Sequence, residues 1–269
     1  MRIVPDYDNP PVTETALGVL FTPVEGWQIP HFGLFWQNIK ELYPTAEVNP
    51  PLAPDIEPAV LQFKQPEVPK LEIVSTPAVR CWFLNAPKTE LIQLQNDRLI
   101  HNWRKVSGSE PYPHYETTRP AFERDWTVFC EFLNSQGFGK PDIRQCEVTY
   151  VNHIDRGNGW ESFADLPKVF PSWTGATSEN YLPNPESASF NLSYPMPQNK
   201  GRLRITFIHA FRPSDAKETL QLTLTARGKP ASSSTSDLLA WLDAGRESVV
   251  RGFTDFTSKS MHEIWRRKE

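Results

Sequence analysis

Two periodicities take turns along this chain. Apolar residues at every second position mark strands with one buried face, and apolar residues three and four apart mark helices. Val12–Phe21 (VTETALGVLF) reads as the first strand, entered after Asn9-Pro10-Pro11, whose prolines have no N–H to give to a ladder. Pro30 opens a helix over HFGLFWQNIKELY, striped by Phe32, Phe35, Trp36, Ile39 and Leu42, and Pro44 ends it. Prolines recur over residues 45–77. That pattern predicts an extended connection pinned to the surface, with short edge strands at 60–64 or 71–74.

RCWFLN (80–85) and the next strand form a hairpin through Ala86-Pro87-Lys88-Thr89. That next strand, LIQLQNDRLIHNWRK (91–105), is the most informative stretch. Ile92 and Leu94 share one face, Gln93 and Gln95 the other, and a dense polar run follows. It reads as a strand with one buried face, a structural spine whose polar far end can be a recognition surface. After a loop at 111–119, a helix over 121–136 carries Phe122, Trp126, Phe129, Cys130 and Leu133 on one side, and Gly137 and Gly139 stop it.

The second half opens with CEVTYVNHI (146–154), then a short helix at 163–170. The strands SFNLSYPM, RLRITFIHAF and TLQLTLTARG come next. A final helix striped by Leu238, Leu242, Val249, Phe253 and Phe256 is capped by Ser236 or Asp237. Both halves run strand, helix, strands, long helix. Glu14–Phe21 can be laid on Glu147–Ile154, Arg80-Cys-Trp-Phe on Arg204-Ile-Thr-Phe, and helix 121–136 on 238–258. The expected fold is α+β: two similar halves forming antiparallel sheet around a pseudo-two-fold axis, with helices packed on one face. Residues 1–11 are a tail, 12–140 the first half and 141–269 the second, together one unit.

Composition narrows the function classes. Aromatic content of 12% with nine Trp supports a packed interior. A net charge of -4 disfavours nucleic acid as a partner, although the interleaving of Arg80 with Trp82 and of Trp103 with Arg104 keeps RNA in view. No apolar run approaches the ~20 residues of a membrane span, so no membrane association is expected. Three cysteines, Cys81, Cys130 and Cys146, lack metal-ligand spacing and read as core thiols of a reducing cytoplasm.

Candidate chemistry is sparse. There is no GxxxxGK[ST], GxGxxG or GxSxG pattern, His262-Glu263 lacks a second His for zinc, and no cofactor or metal is called for. Glu14 and Glu147, at equivalent places in the halves, are either a paired acid/base couple or ion-pair anchors for Arg80 and Arg204; register favours anchors. The binding candidates are Gln93, Gln95, Asp97, Arg98, Asn102, Trp103 and Arg104, joined by Tyr150, Asn152 and His153 if the strands are neighbours. Amides that donate and accept, planar guanidinium forks and a stacking ring suit a peptide, a nucleotide or single-stranded nucleic acid. The other reading is the solvated face of an edge strand. If these residues are surface, Arg98→Ala or Asn102→Ala weakens binding and leaves the melting temperature nearly unchanged.

The Asn9-Pro10-Pro11-Val12-x-Glu14 start, Trp82-Phe83-Leu84, LIQLQNDRLIHNWRK, CEVTYVNHI, Trp241 and Met261-His262-Glu263-Ile264-Trp265 together resemble a sporadically distributed family of functionally uncharacterised bacterial proteins of about this length. The resemblance spans nearly the whole chain. It implies a full-length domain without established activity, and its patchy distribution points to defence or toxin–antitoxin-like loci. Relatives in that family carry His where this chain has Gly245 or Arg246, which puts a His-dependent function there in doubt. The leading expectation is a non-catalytic protein-interaction or regulatory partner of a neighbouring gene's product, with a homodimer also open. The alternative is a small-molecule or nucleotide sensor in a groove between the halves, and an enzyme using the paired carboxylates stands third.

Overall fold

Opposing residues define one nine-stranded antiparallel sheet in this computed structural model, which describes residues 4–58, 78–174, 181–212 and 215–268. The strands are β1 (Val12–Phe21), β2 (Thr45–Asn49), β3 (Arg80–Leu84), β4 (Glu90–Gln95), β5 (Arg98–Arg104), β6 (Ile143–Asp155), β7 (Ser189–Pro195), β8 (Arg202–Phe211) and β9 (Glu218–Gly228). Their spatial order is β2-β3-β4-β5-β1-β6-β9-β8-β7. The helices are α1 (Ile29–Ile39), α2 (Tyr115–Ser135), α3 (Leu166–Val169), α4 (Thr235–Phe256) and α5 (Lys259–Ile264). The fold is therefore α+β. The edge strands expected at 60–64 or 71–74 lie outside the described residues.

Residues 91–105 are not a single strand, and the edge-strand alternative does not hold. They form a hairpin, β4 and β5, closed by Asn96-Asp97, and it lies inside the sheet between β3 and β1. Arg98 grips the turn through two bonds to Asp97, at 2.9 and 3.0 Å. Helix α2 starts at Tyr115, before Pro120, where the sequence suggested a loop. Tyr115 and Thr118 are buried, so tertiary packing holds the first turns despite the missing proline N–H. The cap of α4 is Ser234, which accepts from the Asp237 N–H, rather than Ser236 or Asp237.

Because side chains alternate along every strand, one row runs across the sheet on a single face: Ala46, Phe83, Ile92, His101, Leu17, Val148, Ala226, Leu203, Tyr194. This is the apolar face. Phe35 of α1 meets Phe83 with ring centroids 5.9 Å apart, and Phe129 of α2 meets Phe21 at 5.4 Å. On α4, Gly245 sits against Val148 and Gly252 against Leu203, where a side chain would collide. One polar cluster is sunk in this core. Asp125 of α2 accepts from Tyr43 Oη at 2.7 Å, His101 Nδ1 at 2.8 Å and Arg124 at 2.9 Å, tying α2 to β5 and to the turn between α1 and β2. Burial beside that carboxylate pushes the Tyr43 hydroxyl well up.

Phe129 is fully buried and touches Phe21, Trp27, Phe35 and Trp126. Phe129→Ala should cost about 3–5 kcal/mol in a denaturant titration, as a cavity where α1, α2 and β1 converge.

Candidate functional site

The opposite face of the same strands is polar. One row reads Trp82, Gln93, Ile100, Gly18, Glu147, Arg227, Arg202. The row beside it reads Gln95, Arg98, Leu20, Gln145, and on the other side lie Asn102, Ala16, Thr149, Thr225 and Arg204. The alternation that buries Leu17 and Val148 on one face therefore gathers these groups on the other.

Three clusters cover this face. At the β3–β5 end, Arg80 donates to Gln93 at 2.8 Å, Gln93 Nε2 donates to Asn102 at 2.8 Å, and Asn102 Nδ2 donates to Glu14 at 2.6 Å. The guanidinium carbons of Arg80 and Arg104 lie 5.4 and 5.3 Å from the Trp82 ring centroid. At the centre, Glu147 pairs with Arg227 and accepts from Thr149 Oγ1 at 3.0 Å. At the β8 end, Arg202 and Arg204 both pair with Glu57, at 2.9 and 2.8 Å.

Residues 50–58 of the proline-rich connection lie across this face. The Gln95 side chain takes both backbone groups of Leu52, the N–H at 2.9 Å and the carbonyl at 3.1 Å. Gln145 takes the Glu57 N–H at 2.7 Å and the Asp55 carbonyl at 3.0 Å. Asp55 pairs with Arg227. Beneath the crossing segment is a cavity of about 150 Å³ lined by Gly18, Leu52, Ala53, Arg98, Ile100 and Glu147, among others.

The nominated residues separate by parity. Gln93, Gln95, Arg98, Asn102 and Arg104 share the polar face, Asp97 sits in the turn beside it, and His153 lies toward its far end. Trp103, Tyr150 and Asn152 belong to the other face and are buried: Trp103 packs on Tyr112, Tyr150 Oη accepts from Tyr112 at 3.0 Å, and Asn152 donates to the Leu222 carbonyl. They are scaffold, because odd and even positions of a strand cannot share a surface. Arg98 and Asn102 are only 5% and 2% exposed, so they are not free surface groups either. The sequence missed Gln145, Arg202, Arg227, Asp55 and Glu57. Arg202, Arg227 and Gln145 sat at the polar parity of their strands, a readable signal; the two acids had none.

The expected anchor pairs are exchanged. Glu14 takes its hydrogen bond from Asn102 and not from Arg80; Glu147 pairs with Arg227, and Arg204 with Glu57. Glu147 lies opposite Gly18, four residues along β1 from Glu14, which separates the two by roughly 14 Å at ~3.3 Å per residue. That span forms no acid/base couple. Burial raises the Glu14 carboxyl above the usual range, against the pull of Asn102 and Arg104. For Glu57 burial also opposes ionisation, but the bonds from Arg204 and Arg202 win and hold it low. Burial pushes the Cys81 and Cys130 thiols up to about 11, away from nucleophilic thiolate. Among the described residues, no group of three or more His, Cys, Asp and Glu is placed to hold a metal ion, and no helix is long and apolar enough to cross a membrane.

Two substitutions test this network. Asn102→Ala leaves Gln93 and the Glu14 carboxylate without their shared partner, and should cost about 1–3 kcal/mol in chemical unfolding. For Glu14 the folded state binds its proton more tightly than the unfolded chain, so stability falls as pH rises through the folded value. Glu14→Gln keeps an acceptor for Asn102 and removes that penalty. It should therefore raise the denaturation midpoint at pH 7, with the gain vanishing below about pH 4, where an unfolded glutamate is itself protonated. Comparison with protein-family models, with curated proteins and with solved structures finds no match to this chain.

Proposed function

We propose that the protein is a non-catalytic binding protein, a protein-interaction or regulatory partner whose recognition surface is the polar sheet face. The observation that supports this reading most is the set of arginines on that face, Arg80, Arg104, Arg202, Arg204 and Arg227, carried on rigid strands and interleaved with amides. Such a surface reads carboxylates and backbone amides by fixed forks. The resemblance noted in the sequence directs the search for a partner to the products of neighbouring genes, in a defence or toxin–antitoxin-like setting.

The strand order supports a duplicated origin. Outward from the central pair β1–β6, each half places the last strand before its long helix next to its first strand: β5 beside β1, and β9 beside β6. Long helices α2 and α4 follow those strands, α2 against β5 and α4 against β6 and β9. We read this as two halves about a pseudo-two-fold axis, with the helices gathered on the apolar face. The polar face then forms a continuous surface across the seam. A second reading, a small-molecule sensor, draws on the cavity of about 150 Å³ lying on the β1–β6 seam.

Co-expression with the flanking genes, followed by native mass spectrometry, discriminates the readings. A stoichiometric protein partner is expected, and Arg80→Ala with Arg104→Ala should weaken it about tenfold or more. A retained small mass that raises the melting temperature favours the sensor. A partner that binds the double variant and the parent equally well would remove the polar face as the recognition surface.

A further inference from the structure

We infer that the polar face receives an extended, acidic, proline-spaced stretch of polypeptide, and that residues 50–58 occupy this site in cis in place of a partner's segment. The inference rests on the proposal that this face is the recognition surface, and it names the ligand class and the regulation of that site.

The segment runs across the strands, from Gln95 on β4 to Gln145 on β6 and on to Arg202 and Arg204 on β8. Backbone groups of interior strands are spent on one another in the plane of the sheet, so a chain crossing above them finds no ladder to join. Its own peptide groups have to be met by side chains. A glutamine amide offers one donor edge and one acceptor, the same complement as a peptide group. Gln95 and Gln145 serve in this way, each satisfying one N–H and one carbonyl of the passing backbone.

Spacing fits an extended ligand. Gln95 and Gln145 occupy one row and are three strand spacings apart, about 14 Å at ~4.8 Å each. Leu52 and the Asp55–Glu57 group they hold are about four residues apart, roughly 13 Å of extended chain. Pro50, Pro51, Pro54 and Pro58 keep the segment extended and remove N–H groups that would otherwise lack acceptors.

Side-chain chemistry then sets the class. Asp55 meets Arg227, and Glu57 meets Arg202 and Arg204, with Arg202 also donating to the Pro58 carbonyl. Three guanidinium groups thus read two acids of alternate spacing. None of these contacts reads a base or a sugar; the pattern belongs to polypeptide recognition. Ala53 and Leu52 lie over the cavity beneath the segment, so the buried interface under it is loose and apolar groups of a partner have room to enter.

The test uses the full chain and a fluorescein-labelled peptide with the sequence of residues 50–58. Asp55→Asn with Glu57→Gln weakens the cis occupant and leaves every group of the face in place. Fluorescence anisotropy should show the peptide binding this double variant at least tenfold more tightly than the parent chain. Adding Arg204→Ala should abolish the gain. Hydrogen exchange provides the second readout: the Leu52 and Glu57 amides, protected in the parent, should exchange at least tenfold faster in the double variant. Amides that stay protected there would make the segment a fixed part of the fold and overturn the inference. Released amides without peptide binding would overturn the ligand class. So would a single-stranded oligonucleotide that binds the released face more tightly than the peptide. The parent proposal fails separately: a gene-neighbour partner still bound equally to chains altered at Arg80 and Arg104 or at Arg204 would remove the face itself.

Discussion

The parity of β1 is the constraint on which the structure depends. This strand lies between β5 and β6 at the middle of the sheet, and its register places Leu17 opposite both His101 and Val148. A slip of one residue would turn Leu17 and Val19 toward the polar face and send Glu14 into the core. Through the pairing, the same choice propagates outward to Phe83 on one side and Leu203 on the other. The apolar core and the polar face are two consequences of one register.

Placing so many polar groups on an interior sheet face carries a desolvation cost, and the hydrogen bonds offset it. Gln93, Asn102 and Glu14 form a chain in which each amide both donates and accepts. The glutamates at 57 and 147 are neutralised by arginines from neighbouring strands. Within each cluster, removing one member leaves its partners unpaired. The crossing segment is part of that accounting: Gln95 and Gln145 would have no backbone partners without it. Its acids moderate the mutual repulsion of Arg202, Arg204 and Arg227.

The core elements were legible because their periodicity is local. Alternation in Arg202–Phe211 and Glu218–Gly228, and the helical stripe through Phe122, Trp126 and Phe129, appear in the sequence and in the fold alike. The hairpin turn at Asn96-Asp97 was hidden because the polar residues on either side resemble a continued strand. Part of the polar face was legible as well. Gln93, Gln95, Arg98, Asn102 and Arg104 were nominated together and do share a face, whereas parity puts Trp103, Tyr150 and Asn152 on the other. Counting alternate positions from Leu94 through the true turn would have excluded Trp103.

By itself the sequence determined which segments are strands and helices, because side-chain period is a property of a few consecutive residues. It also determined the shortage of catalytic motifs, which are short and contiguous. Only the tertiary structure decided which strand lies beside which, and so which arginine meets which acid: Glu147 with Arg227, Glu57 with Arg202 and Arg204. The crossing of residues 50–58 over the polar face was decided there too. Such partners are separated by tens to more than a hundred residues, and no local pattern encodes a contact that exists only once the sheet has closed around its central pair.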